Sequence, residues 1–347
     1  MSHKFPYKWS LADGYPAKGI ESNGLKVFSC FACGGGSTMG YKLAGFTVIG
    51  CNEIDPEMIG AYRENHKPKF YFLDPIQEFK NSKTFPDELM NLDILDGSPP
   101  CSSFSMSGSR EKKWGVEKKF REGQAEQILD NLFFDFLDLA DRLRPKVIVA
   151  ENVKGMLLGN AKSYVKKIQK RFEEIGYSVQ LFLLNAATMG VPQRRERVFF
   201  IANRMGLGKL SMNFNEEPIV YKEFKTDPGS PLTPETKLIW DKRINSDKSL
   251  ADIHLRISGE NKRFNAIFIK DNNVSNTVAA GADSIPIRFD FPNRINEHDL
   301  KCIGSYPQDY KFPKCGAGYL IGMSVPPVMT AQIAHKIYLQ WFKNGTP

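Results

Sequence analysis

Five short apolar runs, each ending at a polar or acidic residue, constrain this chain more than any other feature of it. They cover residues 25–31, 46–51, 70–73, 92–95 and 146–150, and several are separated by stretches of helical pattern. Continuous apolar runs of that length suit strands buried on both faces. Strands of this kind alternating with helices build a mostly parallel sheet covered on both sides. The polar residues then fall at the carboxyl ends of the strands: Glu53 after the second, Asp74 after the third and Glu151 after the fifth. In open α/β sheets ligands bind along that edge, so one crevice is expected there. The fold class is α/β, a doubly wound, mostly parallel sheet with a second, smaller domain.

The ends of these runs carry the chemistry. The first breaks into Gly34, Gly35 and Gly36 before a helical stretch, an arrangement that lets backbone approach a ligand and presents amides at a helix start. A plain turn has the same composition, and no Gly-Lys-Ser or Gly-Lys-Thr closes the loop as in a P-loop. Glu53 stands where dinucleotide folds hold a ribose hydroxyl pair, or else it belongs to the cap of the helix begun by Asp55-Pro56. After the fourth run Gly97 frees the backbone and Pro99-Pro100 stiffens it ahead of Cys101. The thiol is then either a nucleophile presented on a constrained turn or an incidental cysteine. Glu151 and Asn152 could hydrogen-bond a heterocycle or cap a helix. In residues 191–202 a single strand would place Arg195 and Arg197 on one face, suited to an anion or carbonyl, or to a solvated edge.

Composition bounds the rest. The 347 residues, 41% of them hydrophobic, are enough for one large or two modest domains. Six scattered cysteines do not form a disulfide scaffold, and Cys30 and Cys33 have no second pair at ligand spacing, so no metal is expected. Neither a signal peptide nor the roughly 20 apolar residues of a membrane span is found, which favours a cytoplasmic protein. The net charge of +8 raises the prior for a polyanionic partner. Residues 1–24 read as an irregular N-terminal extension, 25–202 as the main domain, 203–293 as a smaller domain with its core at about 203–273, and 294–347 as a return to the main domain.

Taken in order, these motifs resemble the cytosine-C5 DNA methyltransferase family across nearly the whole chain. Phe31-Ala32-Cys33-Gly34-Gly35-Gly36 is similar to the family's first motif, Glu53 with Ile54 and Asp74 to the second and third, and Gly97-Ser-Pro99-Pro-Cys101 to the catalytic fourth. Glu151-Asn152-Val153 resembles the sixth, Gln193-Arg-Arg195-Glu-Arg197 the eighth, residues 294–306 the ninth, and Gly322-Met323-Ser324-Val325-Pro the tenth. Cys33 stands where the family usually has glycine, Met323 where it has asparagine, and Ile54 where a larger apolar residue is common.

The resemblance implies a Rossmann-like domain binding S-adenosylmethionine through Phe31, Ala32, Gly34, Gly35, Gly36, Glu53, Ile54, Asp74, Pro99, Met323, Ser324 and Val325. It also implies a cytosine flipped out of double-stranded DNA, in a cleft between the two domains. Cys101 would add to C6 of the base, Glu151 would hold or deliver a proton at N3, and Arg195 or Arg197 would bind O2. Ser103, Asn152, Gln193 and Thr277 would contact the substrate, and the basic loop 102–123 would close over DNA. Residues 203–293 match the family's target-recognition region. The chain would serve restriction-modification as a monomer, with a restriction endonuclease sharing its site without a stable complex. Rival expectations are an RNA (tRNA) cytosine-C5 methyltransferase, a catalytically silent DNA-binding module, and, from the glycine loop alone, a nicotinamide oxidoreductase.

Overall fold

The computed structural model describes residues 3–100, 131–158, 161–281 and 284–345. Cys101, Ser103, the loop 102–123 and the first residues of the helix expected from Gln124 lie outside these. The chain forms two compact units, one of residues 15–185, 196–213 and 330–347, the other of residues 1–14, 186–195 and 214–329.

The first unit is built on a seven-stranded sheet. Its elements run β1 (Lys26–Cys30), α1 (Gly36–Leu43), β2 (Thr47–Asn52), α2 (Pro56–His66), β3 (Phe70–Phe72), α3 (Ile76–Phe79), β4 (Ile94–Gly97), α4 (Leu132–Leu143), β5 (Val147–Val153), α5 (Ala161–Glu174) and β6 (Ser178–Asn185). The two-residue β7 (Gln193–Arg194) belongs to the other unit, and β8 (Glu196–Asn203) returns to the sheet. Sheet order is β3-β2-β1-β4-β5-β8-β6. The first five of these strands pair in parallel, and β8 runs antiparallel to both β5 and β6. The sheet is thus mostly parallel, as expected, with an antiparallel edge. Strand order reverses at β1, between β2 and β4, so the ligand crevice of such a sheet opens beyond the ends of β1 and β4.

Local chemistry sets the helices. Asp55 caps α2, its carboxylate accepting the amides of Glu57 and Met58 ahead of Pro56 at the first turn. In α4 Leu132, Phe133, Phe136, Leu137, Leu139, Ala140 and Leu143 are all buried, and the helix stops at Arg144 in the left-handed conformation before Pro145. Phe136 lies over Gly97, where a Cβ would come within 2.5 Å of its ring.

Two strand ends differ from the sequence reading. β4 covers Ile94–Gly97 and not residues 92–95, because Asp96 and Gly97 pair with Ser29 and Cys30 and extend the ladder. β5 continues through Glu151, Asn152 and Val153, since β8 offers Phe199, Val198 and Arg197 opposite them. The residues read as strand-end turns are therefore held inside the sheet. After Thr330 the helix α10 (Pro327–Ile337) belongs to this unit and ends in a π-helical turn. Ile333, Ile337 and Trp341 are buried, and Trp341 donates to Gly208 O at 2.9 Å.

The second unit holds β9 (Pro228–Pro231), α6 (Pro234–Trp240), α7 (Leu250–Ser258), β10 (Phe268–Ile269), β11 (Ser275–Asn276), β12 (Ile287–Arg288), β13 (Asn293–Ile295), α8 (Glu297–Gly304) and α9 (Gly316–Met323). A four-stranded sheet of order β10-β12-β13-β9 covers a small core of Leu232, Trp240, Leu250, Ile253, Ala266, Phe268 and Ile287. The opening residues pack into this unit. Phe5 and Trp9 are buried, Trp9 donates to Ser305 O at 3.0 Å, and the carboxylate of Asp309 takes the amides of Leu11 and Ala12.

Candidate active site

The loop between β1 and α1 is built around backbone that only certain residues adopt. Phe31 and Cys33 have φ of 52° and 48°, and Gly35 has φ of 86°. Glycine is required at position 35, since a Cβ there would stand 2.3 Å from His66 Nε2. His66, on the last turn of α2, is buried beneath the loop with its Nε2 3.1 Å from Gly34 O, and its ring meets Tyr62 edge-on at 4.7 Å. Burial holds the imidazole neutral, its pKa pushed down to about 3.

Glu53 fastens this loop to the next one. One carboxylate oxygen accepts Cys33 N at 2.7 Å, and the other accepts the amides of Ile54 and Asp55 at 2.8 and 3.0 Å. Burial raises its pKa, and these three amides pull it back down. A carboxylate has about four acceptor sites, so capacity remains for a hydroxyl. Asn52, which the sequence reading passed over, performs the parallel task at β3. Its amide donates to Asp74 O at 2.8 Å and Phe72 O at 3.4 Å. Ile54 and Asp74 are half-buried beside these anchors.

At the neighbouring strand ends Asn152 is buried, its amide donating to Pro99 O at 3.1 Å while its carbonyl accepts Val153 N. The side chain expected to meet substrate thus tethers the proline turn that leads to Cys101. Replacing Asn152 with Ala should free that turn and lower kcat by on the order of tenfold to a hundredfold, as small displacements of a nucleophile do. The check is steady-state kinetics, with cofactor affinity unchanged within about twofold.

Glu151 and Arg197 face each other across the β5–β8 pair, guanidinium Nε to carboxylate at 2.8 Å, with side chains only 13% and 15% exposed. Burial lowers the pKa of Arg197 and the carboxylate raises it again. The pair presents a carboxyl and a guanidinium side by side at the carboxyl edge of the parallel strands, able to meet an N–C=O edge of a heterocycle with a proton and a cation.

Arg195 is not on the strand face of Arg197. The run expected as one strand is broken at Arg195 into β7 and β8, because β7 pairs with β11 of the second unit while β8 enters the large sheet. Within the second unit Arg195 is 2% exposed and donates to Val278 O at 3.1 Å and Gly322 O at 2.8 Å. Gln193 is equally buried, its amide donating to Ile303 O and its carbonyl accepting Val278 N. Thr277 donates to Arg194 O at 2.6 Å. These residues knit β7, β11 and the end of α9 into one piece. Gly322 belongs to it by necessity, as a Cβ would lie 2.4 Å from the carbonyl of Ala279. Ser324 accepts Tyr306 OH at 2.7 Å and donates to Leu320 O, Val325 is buried, and Met323 is 43% exposed.

The described cysteines offer no rival to Cys101 on burial grounds at three positions: Cys30, Cys51 and Cys302 are buried thiols whose pKa burial pushes well up. Among the described residues no group of three His, Cys, Asp or Glu is placed to hold a metal ion. No described helix is long and apolar enough to cross a membrane.

The family model for C-5 cytosine-specific DNA methylases matches residues 25–339. The chain belongs to that family. This methylase is 33% identical over 261 residues to the Type II methyltransferase M.FnuDI of Fusobacterium nucleatum, covering 72% of this chain and 67% of the relative. It is 28% identical over 345 residues to M.NgoFVII of Neisseria gonorrhoeae, covering 91% and 87%. Among solved structures, a Spodoptera frugiperda DNMT2 mutant shares the fold with a TM-score of 0.64 at 16% identity, over 90% of this chain and 99% of that one. The methylase is a DNA (cytosine-5-)-methyltransferase, which transfers a methyl group to C5 of cytosine.

Proposed function

We propose that the methylase holds S-adenosylmethionine against the loop of residues 31–36, with Glu53 taking ribose hydroxyls and with Ile54 and Asp74 beside it, and receives a flipped cytosine at Glu151 and Arg197. The observation that carries this reading is the buried Glu151–Arg197 pair on β5 and β8, beside the tether from Asn152 on β5 to Pro99 just after β4. Two features of the chain support this cofactor assignment. The glycine at 35 removes the Cβ that would strain the loop, and Glu53 keeps acceptor capacity after holding three amides. When bound, S-adenosylmethionine supplies an electrophilic methyl group on a sulfonium.

The chain's own residues do the rest. Cytosine C5 is a weak nucleophile until a thiolate adds to C6, and Cys101, next after the tethered prolines, is assigned that addition. Glu151 manages the proton at N3 as charge moves onto the ring, and Arg197 holds O2. Arg195, committed to two carbonyls, acts by keeping β7 and α9 together. Met323, Ser324 and Val325 would complete the cofactor's surroundings, Thr277 and Gln193 would support the substrate side, and residues 203–293 would read the DNA sequence. The physiological setting would be restriction-modification in the cytoplasm, the enzyme acting as a monomer on a site shared with an endonuclease.

Transfer of a labelled methyl group from S-adenosylmethionine to duplex DNA and to tRNA tests the substrate. Label is expected in DNA, and label in tRNA alone would refute a DNA substrate. Cys101→Ala should abolish transfer while cofactor binding persists. Undiminished transfer would remove the thiol from the mechanism.

A further inference from the structure

One buried carboxylate near the site is used by none of the steps above. Asp96, on β4, is 5% exposed. Its Oδ2 accepts Ser29 Oγ at 2.6 Å and its Oδ1 accepts Tyr41 OH at 3.2 Å, and Ser37 donates a third hydroxyl. The three donors lie on either side of the glycine loop. Ser29 is on β1, just before it, and Ser37 and Tyr41 are on α1, just after it. Asp96 itself pairs with Ser29 in the sheet and leads through Gly97, Ser98, Pro99 and Pro100 into Cys101.

We propose that Asp96 is a positioning residue for methyl transfer, a single carboxylate that ties both ends of the glycine loop to the strand delivering the nucleophile. The inference rests on the assignment of residues 31–36 to the cofactor and of Cys101 to the thiol. Its logic is that methyl transfer needs donor and acceptor held at a fixed separation, and that the two holding segments meet at this side chain. A carboxylate suits the task because it alone accepts from three hydroxyls at once, whereas an amide oxygen accepts fewer and an apolar residue none.

The clamp is sensitive to protonation. The groups that bear on it are the hydroxyls of Ser29, Ser37 and Tyr41 and the carboxylate of Glu151 on β5, itself paired with Arg197, and its charge is felt in turn by the buried thiol of Cys30 on β1 and the phenol of Tyr62 on α2. Burial and Glu151 raise the pKa of Asp96, the hydroxyls lower it, and the balance is about 7. On protonation the carboxyl becomes a donor, so one hydroxyl must turn round and the clamp loosens.

The test is kcat and KM for S-adenosylmethionine across pH 5.5 to 8.5 on a duplex DNA substrate, with cofactor binding measured separately without DNA. In the wild type, KM for the cofactor should rise as pH falls through about 7. Asp96→Asn should lose that inflection and have kcat/KM on the order of tenfold to a hundredfold lower at pH 8. An unchanged pH profile with binding within about twofold of wild type would overturn the proposal. Should Asp96→Asn fail to fold, the Ser29→Ala/Tyr41→Phe double variant leaves the carboxylate with fewer donors and must move the inflection up by about one pH unit. An inflection that stays in place then overturns it. A wild type that binds cofactor but transfers nothing to DNA marks failure of the substrate reading, and one that binds no cofactor marks failure of the loop assignment.

Discussion

Replacing Glu151 with Ala is expected to reduce kcat by about 10²- to 10⁴-fold, the range for a lost acid–base group. It should also destabilise the fold by about 3–5 kcal/mol, because the Arg197 guanidinium would stay buried without its partner. The two losses have different origins and separate experimentally. Glu151→Gln keeps an acceptor opposite Arg197 but cannot supply the proton in the same way, so most of the stability should return while the rate does not. Arg197→Met removes the buried cation in turn, and combining it with Glu151→Ala should restore part of the stability lost by either alone. Chemical unfolding of the four variants alongside transfer kinetics decides the matter. Equal recovery of rate and stability in Glu151→Gln would show that the carboxyl acts only as a structural partner.

Gly35→Ala should be almost as costly, for a steric reason. The left-handed backbone costs an alanine roughly 1–2 kcal/mol. A Cβ 2.3 Å from His66 Nε2 adds roughly 1–3 kcal/mol of overpacking, since His66 and Tyr62 are both buried and cannot retreat. Cofactor affinity should fall with it. His66→Ala in the same chain should recover the overpacking part and leave the backbone part, a split that calorimetry with S-adenosylhomocysteine and thermal unfolding can read. His66 also carries a pH signature. Its folded pKa, pushed down to about 3, lies below the unfolded value of 6.5. The unfolded chain therefore takes up a proton first, and this contribution to stability is present above pH 6.5 and lost as pH falls toward 3. Asp96 acts in the opposite sense, since its raised pKa favours the folded state as pH falls from about 7 toward 3.8. Substituting each separately should tilt the acid limb of stability in opposite directions.

The strands and their order of function were legible in the sequence because buried strands in a parallel sheet are continuous apolar runs, and β1, β2 and β3 start within two residues of where those runs begin. The glycine loop and Glu53 were legible for a related reason: a left-handed backbone and a strand-end acid are local facts that residue type reports directly. The sequence likewise placed Glu151 and Asn152 at the carboxyl end of the fifth strand, where β5 carries them. What it did not determine was the partner of each group. Arg195 and Arg197 look equivalent by spacing, yet pairing with β11 takes one arginine into the second unit and pairing with β5 brings the other to Glu151. Asn152 was read as facing substrate, but only the tertiary structure sets Pro99 O within reach of its amide. Asp96 gave no signal in the sequence, because its three hydroxyl donors come from β1 and α1, far off in the chain. Local sequence determines backbone shape and which residues must be buried; which polar group meets which is decided by strand order and register, and those exist only once the chain has closed on itself.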